Sequence, residues 1–501
     1  MFFHIFLKVN SDSICMDFYP LSPEASQHIL KPTFSLSTVM SKNDSTLRVQ
    51  NNDNILSGRR IVNISYIFKS IAAVYHTPFS CSFKDLIFTH EICKGYLSEF
   101  YFECSMCNKK EIIYSESPTL NDKLTVNDAV VTATLNTGQG YTPRLHSQLE
   151  QFSAILDMPC MSNTKYQKVH EFVANKTEMI AWESIVAAGK EEARLAIENG
   201  DINSDGVPLI TVVADGAWSK RSYKHNYNAL SGVACIVGYR TKQVLFIGVR
   251  NKYCSVCMKA SSINKKPTEH VCYKNWDSTI TAMESDIILE GFRQSMAMHN
   301  LIYHKLIGDG DSSVLKKIIL ANPYALYDID VKKIECAYHI LRNYINRIVE
   351  MTTRRKSSRG DVVPGVLRKV LKDKRLKLRC AITDAIKYRT KLDVPLNYKI
   401  TLLKEDIENG PYHVFGSHDK CASYFCNGPK FGEQNYVSEM EKYGLWQDIL
   451  AARNLVVHHS DSLIHFVNNN HVEGYNSIVA KYVGGKRINY SLRGKNERQK
   501  N

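Results

Sequence analysis

Three acidic residues in this chain stand where divalent-metal chemistry could be done. In PLITVVADGAWS, from Pro208 to Ser219, an apolar and β-branched run ends at Asp215 and is followed at once by glycine. A short run closed by an Asp-Gly pair predicts a buried strand with a carboxylate at its carboxyl end. Open α/β sheets hold their ligands at that end. HKLIGDGDSSVLKKI repeats the arrangement, with Asp309 directly off the apolar run. Asp311 fits better as the N-cap of the helix that follows, although the two roles are interchangeable on sequence. The third acid, Glu473, lies in NNNHVEGYNSIVAKYVGGKR, a helical segment with Asn468 to Asn470 as its cap region. Hard divalent cations prefer carboxylates. Two such ions about 3.5 to 4 Å apart can activate water or a 3′-hydroxyl and neutralise a leaving oxygen in phosphodiester cleavage. Asp215, Asp309 and Glu473 are the minimum set for two Mg²⁺ or Mn²⁺ ions in one active site. Singly, each aspartate is better explained as a turn former; the ordered combination with Glu473 points to catalysis.

The second group of candidate ligands is soft. Several of the 14 cysteines fall in pairs, and in a large chain without a secretory leader such spacing argues for zinc and a reducing compartment rather than disulfides. Cys254-x2-Cys257 with His270 and Cys272 places four ligands within 19 residues, which predicts one tetrahedral Zn²⁺. Cys104-x2-Cys107 sits between two β-rich stretches, with Cys81, His90 and Cys93 available to complete a site. Ordinary half-buried cysteines in a hairpin are the alternative there. Cys336-x2-His339, one helical turn apart, and His418-x2-Cys421, with Cys426 nearby, predict a zinc clip folding an insertion back onto the core. For Cys336 and His339 alone, a buried cysteine and a satisfied histidine compete with that explanation.

Positioning these groups takes several segments. Residues 1–58 are rich in Ser, Thr, Asn and Asp without periodicity and read as a flexible leader. Residues 59–126 read as a β-rich, Cys-containing module. Residues 127–207 read as helical, with polar faces that could dock on DNA but are more often simply solvated. Residues 208–351 begin an α/β core, in which the Asp215 strand, NALSGVACIVGY and QVLFIGVRN form a meander and 251–276 a zinc-knuckle insertion. Residues 352–450 are a basic helical insertion, and 451–501 complete the core with the Glu473 helix and a basic tail. Arg354 to Arg379 holds eleven Lys or Arg against two Asp, with Val and Leu at helical spacing, which predicts a helix with an apolar stripe and a basic face. Arg354, Arg355, Lys356, Arg368, Lys369, Lys372, Lys374 and Arg375, with Lys486 and Arg487 in the tail, are candidates for phosphate contact. The net charge of +14 leans the same way. No apolar run approaches the roughly 18 to 20 residues of a membrane span. MFFHIFLKV lacks the basic leader and small-residue cleavage site of a signal peptide.

The order of meander, helix, strand with second aspartate, short strand VKKIEC, helix AYHILRNYINRIV, basic insertion and late glutamate helix resembles the core of cut-and-paste DDE transposases. More narrowly, VVADGAWSKRSY, IGDGDSSV, CAYHILRNY and EGYNSIVAKYVGGKRINYS are similar to the Mutator-like transposase domain common in insect genomes. The resemblance runs from Gly58 to roughly the end. It implies an α/β fold: a ribonuclease-H-like core, a mixed sheet flanked by helices, with a helical basic insertion and small zinc-binding β-rich elements. It also implies two-metal DNA strand cleavage and strand transfer, with Asp215, Asp309 and Glu473 as the acidic triad. Double-stranded DNA would be the partner, at transposon ends and target. The expected setting is a homo-oligomer joining two ends, in the nucleus, with no membrane. A further Cys-containing segment would be expected after the basic tail. Two other functions stay open on sequence: a decayed or domesticated transposon-derived DNA-binding protein, and a ribonuclease-H-like nuclease acting on RNA or hybrids.

Overall fold

The structure, a computed structural model, describes residues 56–118, 124–136, 145–218, 229–270, 272–309 and 312–482. Nearly all of the predicted leader, Asp311, and the tail bearing Lys486 and Arg487 lie outside the described residues. The chain divides into two compact units, one ending at Met179 and the other beginning at Ile180.

In the first unit, helix α1 (Ile64–Ala72) precedes an antiparallel sheet in the order β1-β2-β3 (Leu86–Lys94, Leu97–Cys104, Lys110–Tyr114). Gly95 turns the chain from β1 to β2 at φ +78°, a left-handed conformation that glycine adopts without steric cost. A Cβ there would also meet the Asn127 amide oxygen at 2.5 Å. Helices α2 (Val126–Asn136), α3 (Leu145–Ile155) and the first part of α4 (Asn163–Glu198) follow. Their apolar residues, three, four or seven apart, form a stripe that buries Val131, Leu135, Leu149, Tyr166 and Val173 with Tyr96 of the hairpin.

The second unit is built on β4 (Leu209–Trp218), β5 (Ser231–Gly238) and β6 (Val244–Asn251), an antiparallel meander. After α5 (Ser255–Ser262) and α6 (Ala282–His299) come β7 (Ile302–Gly308), α7 (Ser312–Ala321) and β8 (Lys332–Glu335). β7 lies parallel to β4 and β8 parallel to β7, so the sheet is ordered β6-β5-β4-β7-β8. The rest is helical: α8 (Ala337–Thr353), α9 (Gly365–Thr390), α10 (Leu396–Val414), α11 (Val437–Lys442), α12 (Leu445–His458), α13 (Ser460–Leu463) and α14 (Asn470–Tyr482).

Alternation along β4 divides its side chains between two faces. Ile210, Val212 and Ala214 share a core with Ile287, Ile288 and Phe292 of α6. The opposite face of β4 and β5 carries Asp215 and Cys235 and meets α14. One expectation is corrected here. Asp215-Gly216 is not a turn: β4 continues to Trp218, and Asp215 pairs with Cys235 inside the sheet. It is β7 that stops, at Gly308.

Helix α9 buries Leu367, Leu371, Leu378, Ile382 and Ile386 in a core that includes Leu341 of α8, Leu403 of α10 and Trp446 of α12. At roughly 1.5 to 3 kcal/mol for each fully buried aliphatic side chain, this stripe fixes the rotation of α9 and turns its lysine-rich side outward.

Candidate active site

The register of the sheet brings the two aspartates level. Val213 of β4 pairs with Ile307 of β7, so Asp215 and Asp309, each two residues further on, stand where the two parallel strands part. Glu473 is in the first turn of α14. One turn later on the same helix, Asn476 Nδ2 donates to Asp215 Oδ2 at 2.9 Å. Burial pushes Asp215 up to about 6, opposed by the Asn476 bond and reinforced by the negative charges of Asp309 and Glu473. The charges of Asp309 and Glu473 are thus near enough to be felt at Asp215, and carboxylate oxygens are the donors that hard divalent cations prefer.

The start of α14 is held by the junction of β8 and α8. Ala337 N donates to Val467 O at 2.9 Å, and Cys336 Sγ to Asn469 Oδ1 at 3.2 Å. His339 Nε2 lies 3.2 Å from Glu473 Oε1. The expected Cys336/His339/His418/Cys421 clip is therefore corrected. Cys336 is fully buried against Asn469 and His339 faces the glutamate, while His418 and Cys421 belong to a different group.

Helical spacing alone sets Asn476 beside Glu473, without giving it a role. Glu284, in the first turn of α6, has no sequence signal; it lines a small cavity with Ala214, Gly308, Asp309 and Lys333. A Cβ on Gly216 would meet Glu284 Cδ at 2.7 Å. A glycine inside a strand is the usual mark of such a close approach.

Three Cys/His groups among the described residues each bring four ligand atoms within 4.8 Å of one another. Cys254, Cys257, His270 and Cys272 come together as their spacing predicted. The Thr268 carbonyl accepts from His270 Nδ1 at 2.7 Å, which leaves Nε2 facing Cys254 and Cys257 at 3.2 and 3.4 Å. The Cys257 amide does most to bring the Cys254 thiol down to about 6, against its burial.

The group in the first unit is His76, Cys81, Cys104 and Cys107. Cys81 was among the expected completing ligands, but His90 stacks on Tyr101 instead and Cys93 is exposed. His76 takes the remaining place, with Nδ1 3.3 Å from Cys107 Sγ and Nε2 3.1 Å from Glu111. Burial resists ionisation of Cys104, yet the amides of Cys107 and Met106 aimed at its sulfur bring it down to about 6.

The third group is His413, His418, Cys421 and Cys426. Glu433 sits 3.1 Å from His418 Nε2, leaving Nδ1 toward Cys426 at 3.2 Å. Burial lowers the pKa of His413 and favours the neutral imidazole. A carboxylate or carbonyl behind His76, His270 and His418 is the outer-shell arrangement that orients a metal ligand, and sulfur with imidazole nitrogen suits Zn²⁺.

The basic candidates divide. Arg355, Lys356, Lys369 and Lys372 are exposed, and Arg368 and Arg375 half-buried. Arg354 is already paired, with Nη2 2.6 Å from Asp448, itself 6% exposed. Lys374 donates to the Val414 carbonyl at 2.8 Å at the end of α10 and lies over the Tyr436 ring. Burial lowers its pKa. Both side chains are engaged within the helical part of the fold.

No helix among the described residues is long and apolar enough to cross a membrane. No curated protein and no solved structure matches the chain. A sequence model of the Mutator-like transposase family does match, over residues 58–426. The matched stretch takes in Asp215, Asp309 and all three Cys/His groups, and stops ahead of Glu473. A match over well more than half of 501 residues makes the assignment, and the chain belongs to the Mutator-like transposase family.

Proposed function

We propose that this chain cleaves DNA and transfers the cut strands through Asp215, Asp309 and Glu473, on a ribonuclease-H-like core, during cut-and-paste transposition. One observation carries this reading: Asp215 within β4 and Asp309 just past the end of β7 stand level, and the helix bearing the glutamate is bonded to the first of them through Asn476. The succession of meander, α6, β7, β8, α8, helical insertion and α14 supports the ribonuclease-H-like assignment.

When bound, two Mg²⁺ or Mn²⁺ ions supply activation of the attacking oxygen and neutralisation of the leaving one. Asp215, Asp309 and Glu473 hold them. His339 restrains one oxygen of Glu473. Arg355, Lys356, Lys369 and Lys372 grip the DNA backbone by phosphate contact, a salt-sensitive interaction because each contact releases counterions. The three Cys/His groups hold structural zinc. The same reading has the protein act in the nucleus, on double-stranded DNA, with two or more copies joining the element's ends.

The test is strand cleavage of DNA bearing the ends of the protein's own element, in Mg²⁺ or Mn²⁺, by wild type and Asp215→Ala. Cleavage by wild type alone supports the proposal. No cleavage by wild type, with DNA still bound, points instead to a DNA-binding relic of a transposon.

A further inference from the structure

Asn476 is 3% exposed, and its carboxamide has partners on two neighbouring strands. Nδ2 donates to Asp215 Oδ2 at 2.9 Å, and Oδ1 faces Cys235 Sγ at 3.9 Å. Asp215 and Cys235 are directly opposite in the β4–β5 ladder, so their side chains leave the sheet on the same face, the face on which α14 lies. With Asp215 ionised, the amide has one orientation. A carboxylate only accepts hydrogen bonds, and turning the amide over would set its oxygen against Asp215.

On α14 the spacing from Glu473 to Asn476 is three residues, which puts both on one side of the helix. The bond that fixes the rotamer of Asp215 therefore also fixes the rotation of the helix that delivers Glu473. Two acids far apart in the chain are registered to each other by one side chain that carries no charge.

We propose that Asn476 is a positioning residue for the divalent-metal site: it orients Asp215 and docks the Glu473 helix against it. This rests on the reading of Asp215 and Glu473 as metal ligands. It goes further by naming the group that sets their geometry.

The test uses the full chain without DNA. Mn²⁺ affinity is measured by electron paramagnetic resonance of the free ion, with the melting temperature recorded in parallel. The variants are Asp215→Ala, Asn476→Ala, Asn476→Leu and Val479→Ala. Val479 is buried on the same helix and serves as a packing control. Outer-shell substitutions at metal sites cost about 10- to 100-fold in affinity. That loss is expected for both Asn476 variants, including the leucine, which fills the space without hydrogen-bonding. Val479→Ala should lower the melting temperature and leave Mn²⁺ affinity at the wild-type value. The proposal is overturned if either Asn476 variant binds Mn²⁺ as wild type does, or if Val479→Ala loses as much affinity as they do. If wild type shows no Asp215-dependent Mn²⁺ binding, the underlying metal assignment fails, and the positioning role fails with it.

Discussion

The proposed acidic site and the Cys/His groups are assembled over different lengths of chain. His413 to Cys426 spans fourteen residues and Cys254 to Cys272 nineteen, whereas the acids reach from 215 to 473. A short loop can carry most of the geometry of the two compact Cys/His groups within itself. The acids depend on the register of β4 with β7 and on the docking of α14. Damage to a Cys/His group should therefore be read first as lost metal and lost stability, and damage at an acid as lost chemistry with the fold retained.

The largest contrast should come from Asp215→Ala. Metal-dependent cleavage should fall by at least roughly a thousandfold, the scale of losing a primary catalytic group, while zinc content measured by mass spectrometry stays at the wild-type level. Cys421→Ser should do the converse, releasing about one zinc per chain and lowering the melting temperature by several degrees. Cys336→Ser and His339→Ala should keep all the zinc; a loss in either would restore the clip that the structure does not form.

A pH experiment separates the two regions in another way. The folded state holds Asp215 at about 6, above an ordinary aspartate near 4, so the fold favours the protonated acid. Below about pH 4 both states are protonated and the penalty is absent. As pH rises through about 6 without added Mg²⁺ or Mn²⁺, the wild type loses stability that Asp215→Asn keeps. A rise of about two pH units corresponds to at most about 3 kcal/mol in favour of the variant. Denaturant melts at pH 4 and 7.5 check it, and added Mn²⁺ should narrow the gap.

Smaller effects sharpen the local picture. Gly216→Ala should cost about 1 to 3 kcal/mol by driving a methyl group into Glu284, and Glu284→Ala in the same protein should recover much of it. Lys369→Ala should reduce the salt slope of DNA binding by about one contact without moving the melting temperature. Lys374→Ala should do the opposite, because its ammonium caps a helix end.

What was legible in the sequence follows the same division. Cys254, Cys257, His270 and Cys272 could be read because all four ligands lie within one short insertion. Asp215 and Asp309 could be read because each ends a buried apolar run. His76 was not read, since it lies well ahead of Cys104 and joins the group through a bridge with Cys81. His413 reads in sequence as one more residue at the end of α10. Cys336 and His339 have the spacing of a ligand pair, but their partners, Asn469 and Glu473, are set by how α8 meets α14. Glu284 is an ordinary helical residue until the sheet beneath it is known, and Asn476, legible only as a helical neighbour of Glu473, finds its partner there.

Strand β4 is paired with β7 along Leu209–Val213 and with β5 along Val212–Trp218, the two ladders overlapping at Val212 and Val213. An extra residue within it would force two ladders to slip together, and a slip of one would turn Asp215 from the α14 face to the α6 face. The connection 391–395 between α9 and α10 has no such neighbours on a ladder, and lengthening a loop costs only a slowly growing entropy. An insertion library screened for cleavage should accordingly be blank across Leu209–Trp218 and populated around 391–395, a map of where this family's chain can grow.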